Sequence, residues 1–295
     1  MLPRGTIVAG YRIDSELGEG AMSHVYRATQ LSLERVVALK LLSPELDESP
    51  NFRARFEREG LVQAALEHQH IVPIYEAGYC EHGLFLVMRL IEGPTLKDLI
   101  HDRDLNPQRS LRLLGQVAEA LDVAHDVGLI HRDVKPQNIL IARGDHAYLA
   151  DFGLTKSLND APLTITGQFI GTMDYVAPEQ IRSEPPSGAS DTYALTCVLY
   201  ECLTGEVPFL KHNEAAALYA HMMEPPPRLC ERHPELGLPE QIDDVIARGM
   251  AKAPEERPAS TAELMAQATA ALSSAPCEPR AGPATLSDGV HDTEA

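Results

Sequence analysis

The segments HRDVKPQNIL, residues 131–140, and LADFGLTK, residues 149–156, hold the side chains of this chain best suited to chemistry. Asp133 is a carboxylate that can accept or orient the proton of a hydroxyl group. Asn138 and Asp151 are hard oxygen donors of the kind a divalent cation such as Mg²⁺ takes. Each of the three alone reads as a solvated loop side chain, and only a match of both motifs to a known pattern reverses that reading. Lys40 ends the apolar run VVALK, where an ammonium is costly to bury unless it meets anions. Two partners are open to it, the phosphates of a nucleotide or an acid of the following helical stretch, in which Glu59 lies opposite the apolar stripe. Lysines at strand ends more often snorkel to water, so Lys40 by itself decides nothing.

The stretch LGEGAMSHVY, residues 17–26, adds a glycine pattern: Leu17, Gly18, Glu19, Gly20, Ala21, Met22, Ser23, His24 and Val25, with Ser23 where a third glycine would complete GxGxxG. A dinucleotide-binding loop needs a helix after its glycines, yet VYRAT reads as a strand. The alternative is a β-hairpin whose backbone N–H groups approach phosphate oxygens because glycine removes the Cβ obstacle. The Cβ of Ser23 restricts the tip, while its hydroxyl can donate to a phosphate, which predicts weakened or retuned phosphate binding rather than its loss.

These residues need elements to hold them. From Tyr11 to about Lys40, and again through IVPIYEAGY and LFLVMRLI, short apolar runs and alternation predict strands. One amphipathic helix, Asn51 to Leu66, interrupts them. After Gly93 the pattern becomes helical: TLKDLIH, then Pro107–Val127 with a stripe of Leu111, Leu114, Val117, Ala118 and Leu121, then Ser190–Leu203, Asn213–Met223, Pro239–Met250 and Ser260–Leu272. Beyond Ser273 the chain is rich in Pro, Gly, Ala and acid, with little apolar surface to offset the cost of ordering.

With 295 residues and 44% hydrophobic content the chain can bury a sizeable core. Its 25 basic and 43 acidic residues give a net charge of −18, which argues against nucleic acid or anionic membrane as a general partner. The five cysteines are scattered without metal-ligand spacing, as reduced cytosolic thiols are. The N-terminus lacks a signal sequence, and no run reaches the roughly 18 apolar residues of a membrane span. A soluble cytoplasmic protein with no membrane segment is expected.

The catalytic-loop and metal motifs closely resemble those of the eukaryotic-like (Hanks-type) bacterial serine/threonine protein kinases, over about residues 11–272. The resemblance implies an α+β bilobal fold: a β-rich N-lobe with one regulatory helix and a mainly helical C-lobe. It divides the chain into an N-terminal extension (1–10), an N-lobe (about 11–88), a hinge (89–93), a C-lobe (94–272) and a disordered polar tail (273–295). The implied reaction is transfer of the γ-phosphoryl group of ATP, with Mg²⁺ or Mn²⁺, to Ser or Thr hydroxyls of proteins, the chain itself included.

Residue by residue, the resemblance gives Asp133 the role of base and has Lys135 contact the γ-phosphate. It pairs Lys40 with Glu59 and the α/β-phosphates, and assigns the metal to Asn138 and Asp151. Lys135 and Thr172 of GTMDYVAPE are typical of serine/threonine specificity. Met88 falls at the gatekeeper position, which makes 89–91 the hinge that reads adenine through its backbone. Arg89 and Ile91 belong to it, although many relatives carry an acid where Arg89 stands. APE at 177–179 closes the activation segment, and Glu179 is expected to form a buried ion pair with Arg257. Arg132 can pair with a phosphate on the activation segment, for which Thr164 and Thr166 are the candidate acceptors. Relatives commonly dimerise, so a homodimer for trans-autophosphorylation joins protein substrates as an implied partner. The chain stops after its polar tail, as a soluble kinase or a truncated receptor kinase would. Two other classes compete: a pseudokinase scaffold, motivated by Ser23 and Arg89, and a kinase-fold enzyme acting on small molecules, whose members usually lack the KPxN form and the APE closure.

Overall fold

The computed structural model describes residues 1–20, 23–43, 56, 60, 62–152 and 173–274. Six antiparallel strands form the first sheet: β1 (Ile7–Val8), β2 (Tyr11–Gly20), β3 (Ser23–Gln30), β4 (Arg35–Leu42), β5 (Ile74–Cys80) and β6 (Gly83–Arg89), in the order β1-β2-β3-β4-β6-β5. The sheet therefore begins before Tyr11, because Ile7 and Val8 pair with Arg12 and Tyr11.

Alternation along the strands gives the sheet two apolar faces. Tyr11, Ile13, Tyr26, Ala28, Val37, Leu39, Phe85 and Val87 pack together on the outer face. Ala38, Leu42, Leu86 and Met88 pack on the inner face with Phe56, Val72 and Ala150. Phe56, Gly60 and residues 62–64 are helical, while Ala65 and Leu66 are not; the rest of the helix expected over 51–66 lies outside the described residues, as does the tail from residue 275.

The second lobe starts where the chain leaves β6. Thr95 caps α1 (Leu96–His101) in a capping box with Asp98. Asn106 caps α2 (Pro107–Asp126), whose first residue is the proline suited to N1. Its buried stripe runs through Leu113, Leu114, Val117, Ala118 and Leu121, with Leu111 only partly covered. A hairpin of β7 (Ile139–Ala142) and β8 (His146–Leu149) follows, then α3 (Pro178–Ile181), α4 (Gly188–Thr204), α5 (Glu214–Met223), α6 (Leu229–Arg232), α7 (Gln241–Gly249) and α8 (Thr261–Leu272). Every residue of α4 from Ser190 to Leu203 is buried. It is the axis of the helical core, wrapped by α2, α7 and α8.

The two lobes meet through the backbone. Val72 N–H donates to Leu149 O at 3.0 Å, and Leu149 N–H donates to His70 O at 2.8 Å. Gly93 forms the exit from the sheet: its φ of +155° and its closeness to the Ile141 carbonyl leave no room for a Cβ. No helix of the described residues is long and apolar enough to cross a membrane.

Candidate active site

The segment between α2 and β7 is fixed from three sides. Asp191, buried in the first turn of α4, accepts the N–H groups of His131 and Arg132 at 2.8 Å each and the His125 Nε2–H at 2.8 Å. That carboxylate holds Arg132 in the left-handed region, at φ +67°, where a non-glycine residue is strained. His131 is fully buried. Its Nε2–H donates to Ala150 O at 2.9 Å, and its Nδ1 accepts the Asp133 N–H at 3.2 Å. Burial pushes its pKa down against the pull of nearby Asp191, Asp133 and Asp151, so the ring is a neutral structural link. The Phe152 ring packs on it with centroids 4.6 Å apart.

Within that frame Lys135 Nζ lies 2.8 Å from Asp133 Oδ2. Asn138 Nδ2–H donates to Asp133 O at 2.8 Å and to Asp133 Oδ2 at 3.2 Å. Both amide hydrogens are thereby used inside the loop, and no hydrogen bond of the described residues takes up the Asn138 Oδ1, the hard oxygen a metal ion would use. Ala150 N–H donates to Asn138 O at 2.9 Å, which brings Asp151 beside the loop with φ +59°. Asp151 Oδ1 is 2.7 Å from Lys40 Nζ. Lys40 is aligned across the sheet with Val25 and Leu86 and shares the inner face with Ala38 and Leu42. The residues suit a divalent ion: an amide oxygen that no described residue takes up and a carboxylate.

The lobe's other polar contacts brace this site. Gln180 Nε2–H on α3 donates to Arg132 O at 3.1 Å. Glu179, next to it, takes Arg257 Nη1–H and Nη2–H at 2.7 and 2.8 Å and Ser190 Oγ–H at 2.6 Å. Tyr175 O–H donates to the buried Glu201 at 2.6 Å, and burial together with that carboxylate pushes the phenol pKa well up.

A model of the protein kinase domain matches residues 11–269. The chain belongs to the protein kinase domain family. Among curated proteins, this kinase domain is 42% identical over 270 residues to the serine/threonine-protein kinase PknH of Mycobacterium tuberculosis, covering 91% of this chain and 43% of that one. It is also 42% identical over 272 residues to PknE of the same species, covering 92% and 48%. The chain thus spans less than half the length of these relatives. Among solved structures, the M. tuberculosis PknI kinase domain superposes with a TM-score of 0.75 at 30% identity, over 93% of this chain and 100% of that one. Rad53 residues 1–466 with AMP-PNP match with a TM-score of 0.72 at 25% identity, over 87% and 64%.

The kinase fold brings Lys40, Asp133, Lys135, Asn138 and Asp151 into one cleft. Gly18 and Gly20 pair with Val25 and Ser23, and an added Cβ would meet nothing within 4 Å at Gly18 and only Ser23 at Gly20, so the backbone is open for close approach. Val25 packs toward the inner cluster, whereas Glu19 and His24 pair on the opposite face with Tyr26, so their side chains point away from the cleft. Leu17 is exposed. Met88 is buried beside Ala38, and Leu90 and Ile91 pack on the same cluster. The Arg89 N–H is spent on Pro73 O at 2.9 Å, and its exposed guanidinium lies 5.6 Å from the Tyr148 ring centroid. The expected contact of Lys40 with Glu59 involves a residue outside the described set, as are Ala21, Met22, Thr164, Thr166 and Thr172; in the described set Lys40 meets Asp151. Asp191, His125 and Gln180 were not picked out from the sequence. The signal that could have marked Asp191 is an acid beside the apolar run TYALTCVLY.

Proposed function

We propose that the chain transfers the γ-phosphoryl group of ATP to serine or threonine hydroxyls of protein substrates, including its own. The observation that carries this reading is the convergence of Lys40, Asp133, Lys135, Asn138 and Asp151 across the two lobes. Asp133 orients the acceptor hydroxyl and takes its proton as the oxygen attacks phosphorus and ADP leaves. Lys135 and Lys40 offset charge on the transferred phosphoryl and on the α/β-phosphates. Asn138 and Asp151 hold Mg²⁺, or Mn²⁺, which when bound with ATP neutralises phosphate charge. Backbone groups at 89–91 read adenine, and Gly18 and Gly20 let the hairpin lie close over the phosphates.

The kinase domain is taken as residues 11–272, with its hinge at 89–93. Thr164 and Thr166 are proposed phosphate acceptors on the activation segment, with Arg132 as their cationic partner; a cytoplasmic location and a homodimer acting in trans complete the proposal. The test is incubation of the chain and its Asp133→Asn variant with Mg·ATP and a generic basic protein substrate, followed by mass spectrometry. Wild-type product with kcat lowered roughly 10²–10⁴-fold in the variant is expected. Equal turnover refutes the role of Asp133, and no product from either makes the chain a pseudokinase.

A further inference from the structure

The β2–β3 hairpin carries a cluster that phosphoryl transfer does not use. Strand residues three apart point to opposite faces, yet Glu16 and Glu19 share one. Glu19 pairs with His24 and Glu16 with Tyr26, because the register shifts between Glu16 and Gly18. The extra residue of that bulge returns Glu16 to the face of Glu19. One ligand atom from each of Glu16, Glu19 and His24 lies within 4.8 Å of the others, with His24 Nδ1 at 3.1 Å from Glu16 Oε1. No lysine or arginine among the described residues forms an ion pair with either glutamate, and the imidazole meets the Glu16 carboxylate with that of Glu19 beside it.

We propose that Glu16, Glu19 and His24 form a metal site for a divalent transition cation of the Zn²⁺ type. Oxygen and nitrogen ligands at about 2.0–2.2 Å from a tetrahedral ion stand about 3.4 Å apart. Small rotations of the exposed Glu19 and of Glu16 close the present spacing to that value. The imidazole selects borderline metals over Mg²⁺, which takes oxygen donors in octahedral geometry. Three protein ligands leave a fourth position for water.

The site faces away from the nucleotide. His24 and Tyr26 stand on the same face of β3, and Tyr26 is buried in the outer cluster, while Val25 packs toward the cleft. A bound ion clamps the two strands of the glycine hairpin from outside and displaces neither phosphate nor the ion of Asn138 and Asp151.

The test is calorimetric titration of the metal-stripped full chain with ZnCl₂, without ATP, beside His24→Gln and Glu19→Gln. Because no turnover is read, its outcome is separate from that of the kinase assay. Saturable binding of one Zn²⁺ to the wild type, weakened at least ~10-fold in each variant while the metal-free melting temperatures stay level, is expected. His24→Gln keeps eleven of the 12 histidines, so adventitious surface binding survives it. Equal affinity in all three proteins, loss confined to the His24 variant, or no saturable binding to the wild type overturns the site. If His24→Gln does not fold, Glu16→Gln takes its place in the comparison.

Discussion

An Arg257→Met substitution removes a guanidinium with 0% side-chain exposure from a Glu179 carboxylate with 3%. Glu179 keeps the Ser190 hydroxyl at 2.6 Å but no guanidinium, and Tyr193 loses the arginine 5.0 Å from its ring centroid. A buried charge stripped of its partner costs about 3–5 kcal/mol, a large share of the ~5–15 kcal/mol that holds a domain together. At ~2–4 °C per kcal/mol for a domain of this size, the melting temperature should fall by ~6–20 °C. The double variant Glu179→Gln/Arg257→Met has no buried charge and should recover about half of the loss or more. The sign with pH follows from Glu179. Burial pushes its pKa up, but the hydrogen bonds from Arg257 and Ser190 outweigh it and leave the group below its ordinary value of 4.5. The pair's contribution is therefore complete above that value and fades as the pH falls through the lower folded-state pKa. Thermal circular dichroism at pH 7.5, repeated near pH 4, reads all three effects. A fall of less than ~2 °C in the single variant, or a double variant no more stable than the single, refutes the reasoning.

Asp191→Asn can accept only one of the two N–H groups of His131 and Arg132 well, because its amide hydrogens oppose the other. We expect kcat to fall roughly 10–100-fold with little change in the KM for ATP, and steady-state kinetics showing unchanged kcat would remove Asp191 as a positioning residue. Burial pushes the His221 pKa down from 6.5 to about 3, so its stabilising effect is full above pH 6.5 and is lost as the pH falls toward 3. That is about 2 kcal/mol by pH 5, and His221→Gln should flatten the loss of melting temperature between pH 6.5 and 5; an unaltered slope would contradict it. Gly93→Ala drives a Cβ against the Ile141 carbonyl oxygen, which should cost about 2–4 kcal/mol and raise the KM for ATP; a variant matching wild type in both would show that the hinge exit is soft.

What the sequence discloses depends on how far its signals reach along the chain. Helix α8 is expected over 260–272 and found at Thr261–Leu272 with Ser260 as its cap, because cap and period are local. Asp133, Asn138 and Asp151 are likewise legible as a group, since 19 residues of chain hold all three. The burial of α4 on every side is not, because an apolar run has no period to reveal which neighbours will surround it. Asp191 escapes for a related reason: an acid in a helix's first turn is ordinary. Only the fold reveals that two peptide N–H groups from a loop 59 and 60 residues away converge on it.

The glycine hairpin carries the same limit to a finer scale. Alternation assigns faces by counting in twos, and a bulged residue between Glu16 and Gly18 changes the count for Ser15 and Glu16, until the second register shift between Ile13 and Ser15 changes it again. The shift beside Gly18 leaves Gly18, Gly20 and Val25 toward the cleft and gathers Glu16, Glu19 and His24 on the other side. Hence a glycine motif proposed to cover phosphates also holds two side chains, Glu19 and His24, that face away from the cleft, and the residue just before it, Glu16, joins them. A residue's membership in a binding motif therefore says where its backbone lies, and the register decides what its side chain can touch.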